Sequence, residues 1–119
     1  LDPDQMRQAC LNIGLNACQA MPAGGTLTVS TRQATEGGGH VDHESVEIVF
    51  EDTGQGISKE HRDRIFDPFF TTKEAGTGLG LSVVHRIMED HRGRVQVDSE
   101  PGAGTRVRLT LPAAGVTVT

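Results

Sequence analysis

The run GTGLGLS at residues 76–82 constrains this chain more than any other feature. Its glycines alternate with small or apolar residues, so successive backbone N–H groups can approach an anion with no Cβ in the way. Leu79, Val83, Val84, Ile87 and Met88 follow at helical spacing, so the turn opens into a helix whose N-terminal dipole faces the same anion. Phosphate is the natural guest. Alone, the same pattern also serves a flexible turn before a helix, and the neighbouring segments must decide between the two.

The rest of the chain supplies an alternation of helices and paired strands. Asp2 and Pro3 give an N-cap and a first helical position, and residues 5–21 run without a breaker other than Gly14 until Pro22, Gly24 and Gly25. Leu27, Val29 and Thr31 alternate with polar neighbours, as do Val46, Ile48 and Phe50, predicting two half-buried strands around a hairpin tip at residues 37–39. Ser58 can cap a short helix through Ile65, and the longer helix that begins near Leu79 is expected to end at Gly93. Val95, Val97, Val107, Leu109 and Leu111 form a last hairpin around residues 101–104. Strand pairs with helices between them predict an α+β fold, a two-layer sandwich with a mixed, mostly antiparallel sheet and helices on one face.

With 119 residues the chain can build one core, and residues 1–119 read as one domain. A net charge of −5 leaves no excess of Lys and Arg for a phosphate backbone, so nucleic acid is not an expected partner. Cys10 and Cys18 lie on one predicted helix, too far apart to be bridged, and suit a reducing compartment. No apolar stretch reaches the ~20 residues of a membrane span. The domain is therefore expected in the cytoplasm, without membrane contact of its own. Because Leu1 already stands at the mouth of a helix, the chain reads as a domain excised from a larger protein.

Two further segments carry chemistry. Asn12 and Asn16 are one helical turn apart and share a face, with Gln5, Gln8 and Gln19 extending the stripe. Met6, Cys10, Ile13, Leu15 and Ala17 cover most of the remaining surface, which predicts a helix buried on most sides. Buried carboxamides need partners, and their oxygens suit a hard cation such as Mg²⁺ or its waters; a solvated polar stripe has the same pattern. At the end of the second strand, Asp52-Thr53-Gly54-Gln55-Gly56-Ile57 sets a carboxylate before a tight turn. An aspartate there can accept a hydrogen bond from an exocyclic amine, and the glycines can let a flat base lie against the backbone. A plain D-x-G turn is the alternative.

Taken in order, these segments resemble the catalytic ATP-binding domain of sensor histidine kinases, in the GHKL superfamily with gyrase, Hsp90 and MutL. LNIGLNACQAMPAGGTLTV with Asn12 and Asn16 resembles the N box, and DTGQGI the G1 box. IFDPFFTTK resembles the F box, GTGLGL the G2 box and GAGT, ending in Thr105, the last glycine motif. The resemblance implies that ATP and Mg²⁺ are bound. Asn16 would ligate the metal and Asn12 support the phosphate side, with Lys73 reaching phosphate as the third catalytic residue. Asp52 would read the adenine amine with Thr105 nearby, alongside Gly54, Gly56 and Ile57. Gly76, Thr77, Gly78, Leu79, Gly80 and Leu81 would cradle the phosphates, and residues 56–77 would form a mobile lid.

The resemblance also implies partners. The family's phosphoacceptor histidine stands on a dimerisation helix before an acidic residue. His43-Glu44 is the nearest imitation, but it lies in the glycine-rich hairpin; His85 and His91 read as packing or surface residues, and His40 and His61 as solvated. The acceptor is therefore expected on a separate dimerisation domain of the same parent, with a response regulator downstream. Hydrolytic relatives carry a glutamate as general base where this chain has Asn12, and an amide cannot take that proton. This favours transfer to an external nucleophile over hydrolysis. A regulatory nucleotide-binding module and an anti-sigma serine kinase of the same superfamily are the alternatives. Gln19 stands where many relatives have a basic residue, the family's usual first strand does not precede the helix, and the adjacent Phe69 and Phe70 offer either a partner contact or a staple under the lid.

Overall fold

The computed structural model describes residues 2–38, 41–62, 64–66 and 80–112. The first helix, α1, spans Pro3–Gln19. The Asp2 carboxylate accepts the Asp4 and Gln5 N–H groups at 3.0 and 3.3 Å, and Pro3 occupies a position whose N–H would have no helical partner. Strands β1 (Leu27–Gly38) and β2 (Val41–Asp52) follow, then α2 (Lys59–Arg62), α3 (Gly80–Asp90), β3 (Arg94–Glu100) and β4 (Gly104–Pro112). The sheet order is β1-β2-β4-β3, and every pairing is antiparallel.

Strand register builds the core in rows. Thr31, Ile48, Leu109 and Val95 lie side by side across the sheet, and Val29, Phe50, Val107 and Val97 form the next row. Cross-strand neighbours point to one face, and this face meets α1 and α3. Ala9, Ile13, Phe50, Val84, Ile87, Met88, Val107, Leu109 and Leu111 form the buried cluster. At a gain of about 25 cal/mol per Å² of apolar surface, burial on this one face is what holds the two layers together.

Four local expectations change. Gly37 and Gly38 lie within β1, paired with Asp42 and Val41, because a glycine still offers the ladder a full backbone donor and acceptor; the expected tip shrinks to residues 39–40, outside the described residues. Helix α1 is not buried on most sides. Only Ala9, Ile13 and Ala17 are fully buried, with Met6 and Cys10 partly covered beside them, while Leu11 and Leu15 are 59% and 51% exposed. A stripe spaced by four residues with alanines at both ends lets α1 approach α3 closely, but it is narrow.

Helix α2 stops at Arg62, short of Ile65. The His61 N–H bonds Ser58 O and the Arg64 N–H bonds His61 O, both across three residues, a tight-turn pattern that does not propagate an α-helix. Gly93 is not the left-handed residue that ends α3. Arg92 is, at φ 58°, with Arg92 N–H on Glu89 O (3.0 Å) and Gly93 N–H on Met88 O (2.8 Å), the two bonds of a Schellman ending. Gly93 is needed for closeness instead, since a Cβ there would lie 2.5 Å from Thr110 O.

Candidate functional site

Beyond the row of Val29, Phe50, Val107 and Val97, the same sheet face carries Leu27, Asp52, Thr105 and Ser99. The face turns from apolar to polar at this one end, where three strands deliver a carboxylate and two hydroxyls in register. Asp52 Oδ1 accepts the N–H of Gly54 at 2.9 Å and that of Thr105 at 3.2 Å. Two amides fix the carboxylate in place, and among the described residues Oδ2 takes no hydrogen bond.

The segment after Asp52 is fastened to the ends of other elements. Thr53 exchanges bonds with Thr26 before β1: its N–H reaches Thr26 O at 3.2 Å, and its Oγ1 accepts the Thr26 N–H at 3.0 Å. Gln55 bridges two sides, its N–H on Ala20 O at the end of α1 (3.1 Å) and its carbonyl accepting the Gly102 N–H (2.7 Å). Ile57 donates its N–H to Ser99 Oγ at 2.7 Å. The glycines serve this fastening. Gly56 has φ 74° and a Cβ there would lie 2.1 Å from Glu100 O; Gly104 has φ 94° and a Cβ there would lie 2.1 Å from Asp52 O. Gly54 abuts Ala20 in the same way. At Gly54 and Gly56 the place that a Cβ would take is filled by the protein's own backbone, so only glycine fits there.

Asn12 and Asn16 are half-buried on α1, and Asn16 lies one turn before Ala20, the residue that receives Gln55. The asparagine end of α1 and the Asp52 turn are thus parts of one constellation. Gly80 starts α3 and Leu81 is half-buried in its first turn, while Lys73, Gly76, Thr77, Gly78 and Leu79 lie outside the described residues, as do Phe69, Phe70 and most of residues 56–77. The Phe66 ring lies against the His85 imidazole at 5.4 Å between centroids, joining the start of the F-box segment to α3. Among the described residues no three His, Cys, Asp or Glu side chains come together to hold a metal. A hard cation beside Asn16 would take its remaining oxygens from phosphate and water, which is how Mg²⁺ is commonly held. A carboxylate oxygen that takes no hydrogen bond among the described residues, on the same sheet face as Thr105, would suit an exocyclic amine in the same sense.

The sequence reading missed Ser99. It is 7% exposed, donates to Gly104 O at 3.0 Å, and lies 2.9 Å from Thr105 Oγ1. The signal was there: Ser99 continues the phase of Val95 and Val97, so a polar residue occupies an inward position.

The family described as "Histidine kinase-, DNA gyrase B-, and HSP90-like ATPase" matches this chain over residues 1–115. The chain belongs to that family. The sensor histidine kinase ZraS of Escherichia coli (strain K12) is 44% identical over 111 residues, 93% of this chain and 22% of its own length. The chain thus spans about a fifth of that relative. Among solved structures, the mycobacterial sensor histidine kinase MprB superposes with a TM-score of 0.79 at 31% identity, covering 94% of this chain and 72% of that one. Full-length ShkA in complex with AMPPNP gives a TM-score of 0.70 at 36% identity, covering 91% of this chain and 21% of that one. For this member of the ATPase family, the polar row at the sheet end, the turn after Asp52, the asparagine turn of α1 and the start of α3 at Gly80 and Leu81 are the parts of the candidate site within the described residues.

Proposed function

We propose that this domain binds Mg–ATP and gives the γ-phosphoryl group to a histidine on a separate dimerisation domain of the same parent protein, upstream of a response regulator. The observation that carries this reading is Asp52, whose Oδ1 is held by two backbone amides and whose Oδ2 takes no hydrogen bond among the described residues. Similarity to a nucleotide-bound relative, ShkA with AMPPNP, supports it.

In this reading the chain mainly positions groups. Asp52 and Thr105 hold the adenine edge, with Gly54, Gly56 and Ile57 keeping the turn beneath it in shape. Asn12 and Asn16 face the phosphates from α1. Asn16 would hold Mg²⁺, which supplies charge neutralisation on the phosphates. Lys73 and the run Gly76, Thr77, Gly78, Leu79, Gly80 and Leu81 would complete the cradle, and residues 56–77 would close over it as a lid. Position 12 offers an amide, so the chain there cannot take a proton from water, and an external imidazole is the suited nucleophile. No described helix is long and apolar enough to cross a membrane. A domain that uses ATP in this way would lie on the cytoplasmic side of any anchored parent.

Mixing the chain with an isolated histidine-bearing dimerisation domain and radiolabelled ATP tests the proposal. Acid-labile label on that domain is expected, with little phosphate released by the chain alone. Rapid steady-state hydrolysis without an acceptor would contradict it.

A further inference from the structure

Counting protons in the polar row assigns a role to Ser99. A serine hydroxyl has one proton to give and lone pairs to receive. The Gly104 carbonyl oxygen can only accept, so the Ser99 proton is committed to it at 3.0 Å. The Ile57 N–H can only donate, and it gives to Ser99 Oγ at 2.7 Å. The contact between Ser99 Oγ and Thr105 Oγ1 at 2.9 Å therefore takes its proton from Thr105. With that proton spent inside the protein, Thr105 Oγ1 offers lone pairs only. Its cross-strand neighbour Asp52 also offers lone pairs only at Oδ2, and the two side chains share one sheet face.

We propose that Ser99 is a positioning residue for base selectivity: by holding the Thr105 hydroxyl as an acceptor, it makes the site a pair of acceptors that matches a primary amine and rejects a carbonyl at the same place on the purine. The proposal rests on the nucleotide reading above and adds the origin of the preference. A carbonyl brought here leaves two acceptors facing a third, and a site of unpaired polar groups discriminates far better than one of apolar contacts. A Thr105 hydroxyl freed from Ser99 can turn and donate, which removes half of that penalty. Ser99 also receives Ile57, so the same side chain sets the start of residues 56–77 and the acceptor.

Calorimetric titration of the chain with ATP and with inosine triphosphate, which carries a carbonyl where adenine carries its amine, tests this. The unsubstituted chain should prefer ATP. Ser99→Ala should narrow the preference by roughly threefold to tenfold, the range of one neutral hydrogen bond. Thr105→Val should narrow it too, and Ser99→Ala added to Thr105→Val should leave the ratio where Thr105→Val put it. Ser99→Cys keeps the volume, weakens the bond and gives the same sign should the alanine variant not fold. An unchanged ratio in the Ser99 variants, with both affinities and the Tm falling together, would overturn the proposal and leave Ser99 a structural residue. A starting chain that binds both nucleotides alike would overturn the nucleotide-site reading itself.

Discussion

His91 Nε2 accepts the Asp2 N–H at 2.9 Å, joining the end of α3 to the N-cap of α1 across 89 positions of sequence. The other ring nitrogen, Nδ1, lies 2.8 Å from Ile87 O, which can only accept, so the proton sits on Nδ1 and the neutral ring satisfies both partners. His91→Phe removes both bonds while keeping a ring. Urea denaturation should show a loss of about 1–2 kcal/mol, the usual range for two neutral hydrogen bonds, partly solvated. Nucleotide affinity should change little, since among the described residues the His91 ring bonds the Asp2 and Ile87 backbone and no site residue.

Arg92 holds φ 58°, a conformation that costs a residue with a Cβ roughly 1–2 kcal/mol. Glycine has no such cost but loses about 0.5–1 kcal/mol of chain entropy on folding. Arg92→Gly should therefore stabilise the domain by about 0.5–1 kcal/mol and raise Tm by a few degrees. Gly93→Ala should do the reverse, because its Cβ would meet Thr110 O at 2.5 Å.

Glu47 is 7% exposed and accepts a hydrogen bond from Arg32 Nε across β1 and β2. That bond, aided by the charges of Arg32, Arg108 and Arg94, holds its carboxyl below the ordinary value although burial opposes the shift. A depressed acid contributes stability that is fully present above the unfolded value of about 4.3 and is lost as pH falls through the lower folded value. Glu47→Gln should be less stable than the parent at pH 7, and the difference should shrink as pH drops below about 4. A constant difference from pH 7 down to acid unfolding would assign the effect to packing.

Much of this architecture is legible in the residues themselves. Alternation at Val46, Ile48 and Phe50 and at Val107, Leu109 and Leu111 gives the two central strands and their inward face, and Asp2-Pro3 gives the start of α1. What stays hidden depends on distant partners. Gly37 and Gly38 read as a tip because glycine has no side chain to alternate, yet their backbone pairs with Val41 and Asp42. Leu15 reads as part of a buried surface because period alone does not say how wide a stripe α3 and the sheet cover. Motif order marks the site, but the bonds from Gln55 to Ala20 and Gly102, and from Ile57 to Ser99, are long-range and leave no local pattern.

With Asp52 as the reader of the base and Asn16 as a holder of the metal, their losses should differ in kind. Calorimetric titration with ATP, once with Mg²⁺ and once with EDTA, separates them. Asp52→Ala should weaken binding in both conditions, by at least tenfold if a charge-assisted bond of about 1.5–3 kcal/mol is lost. Asn16→Ala should weaken it with Mg²⁺ and much less with EDTA. Equal, Mg²⁺-independent losses in the two variants, or an Asp52→Ala chain that binds ATP as the parent does, would contradict the assignment.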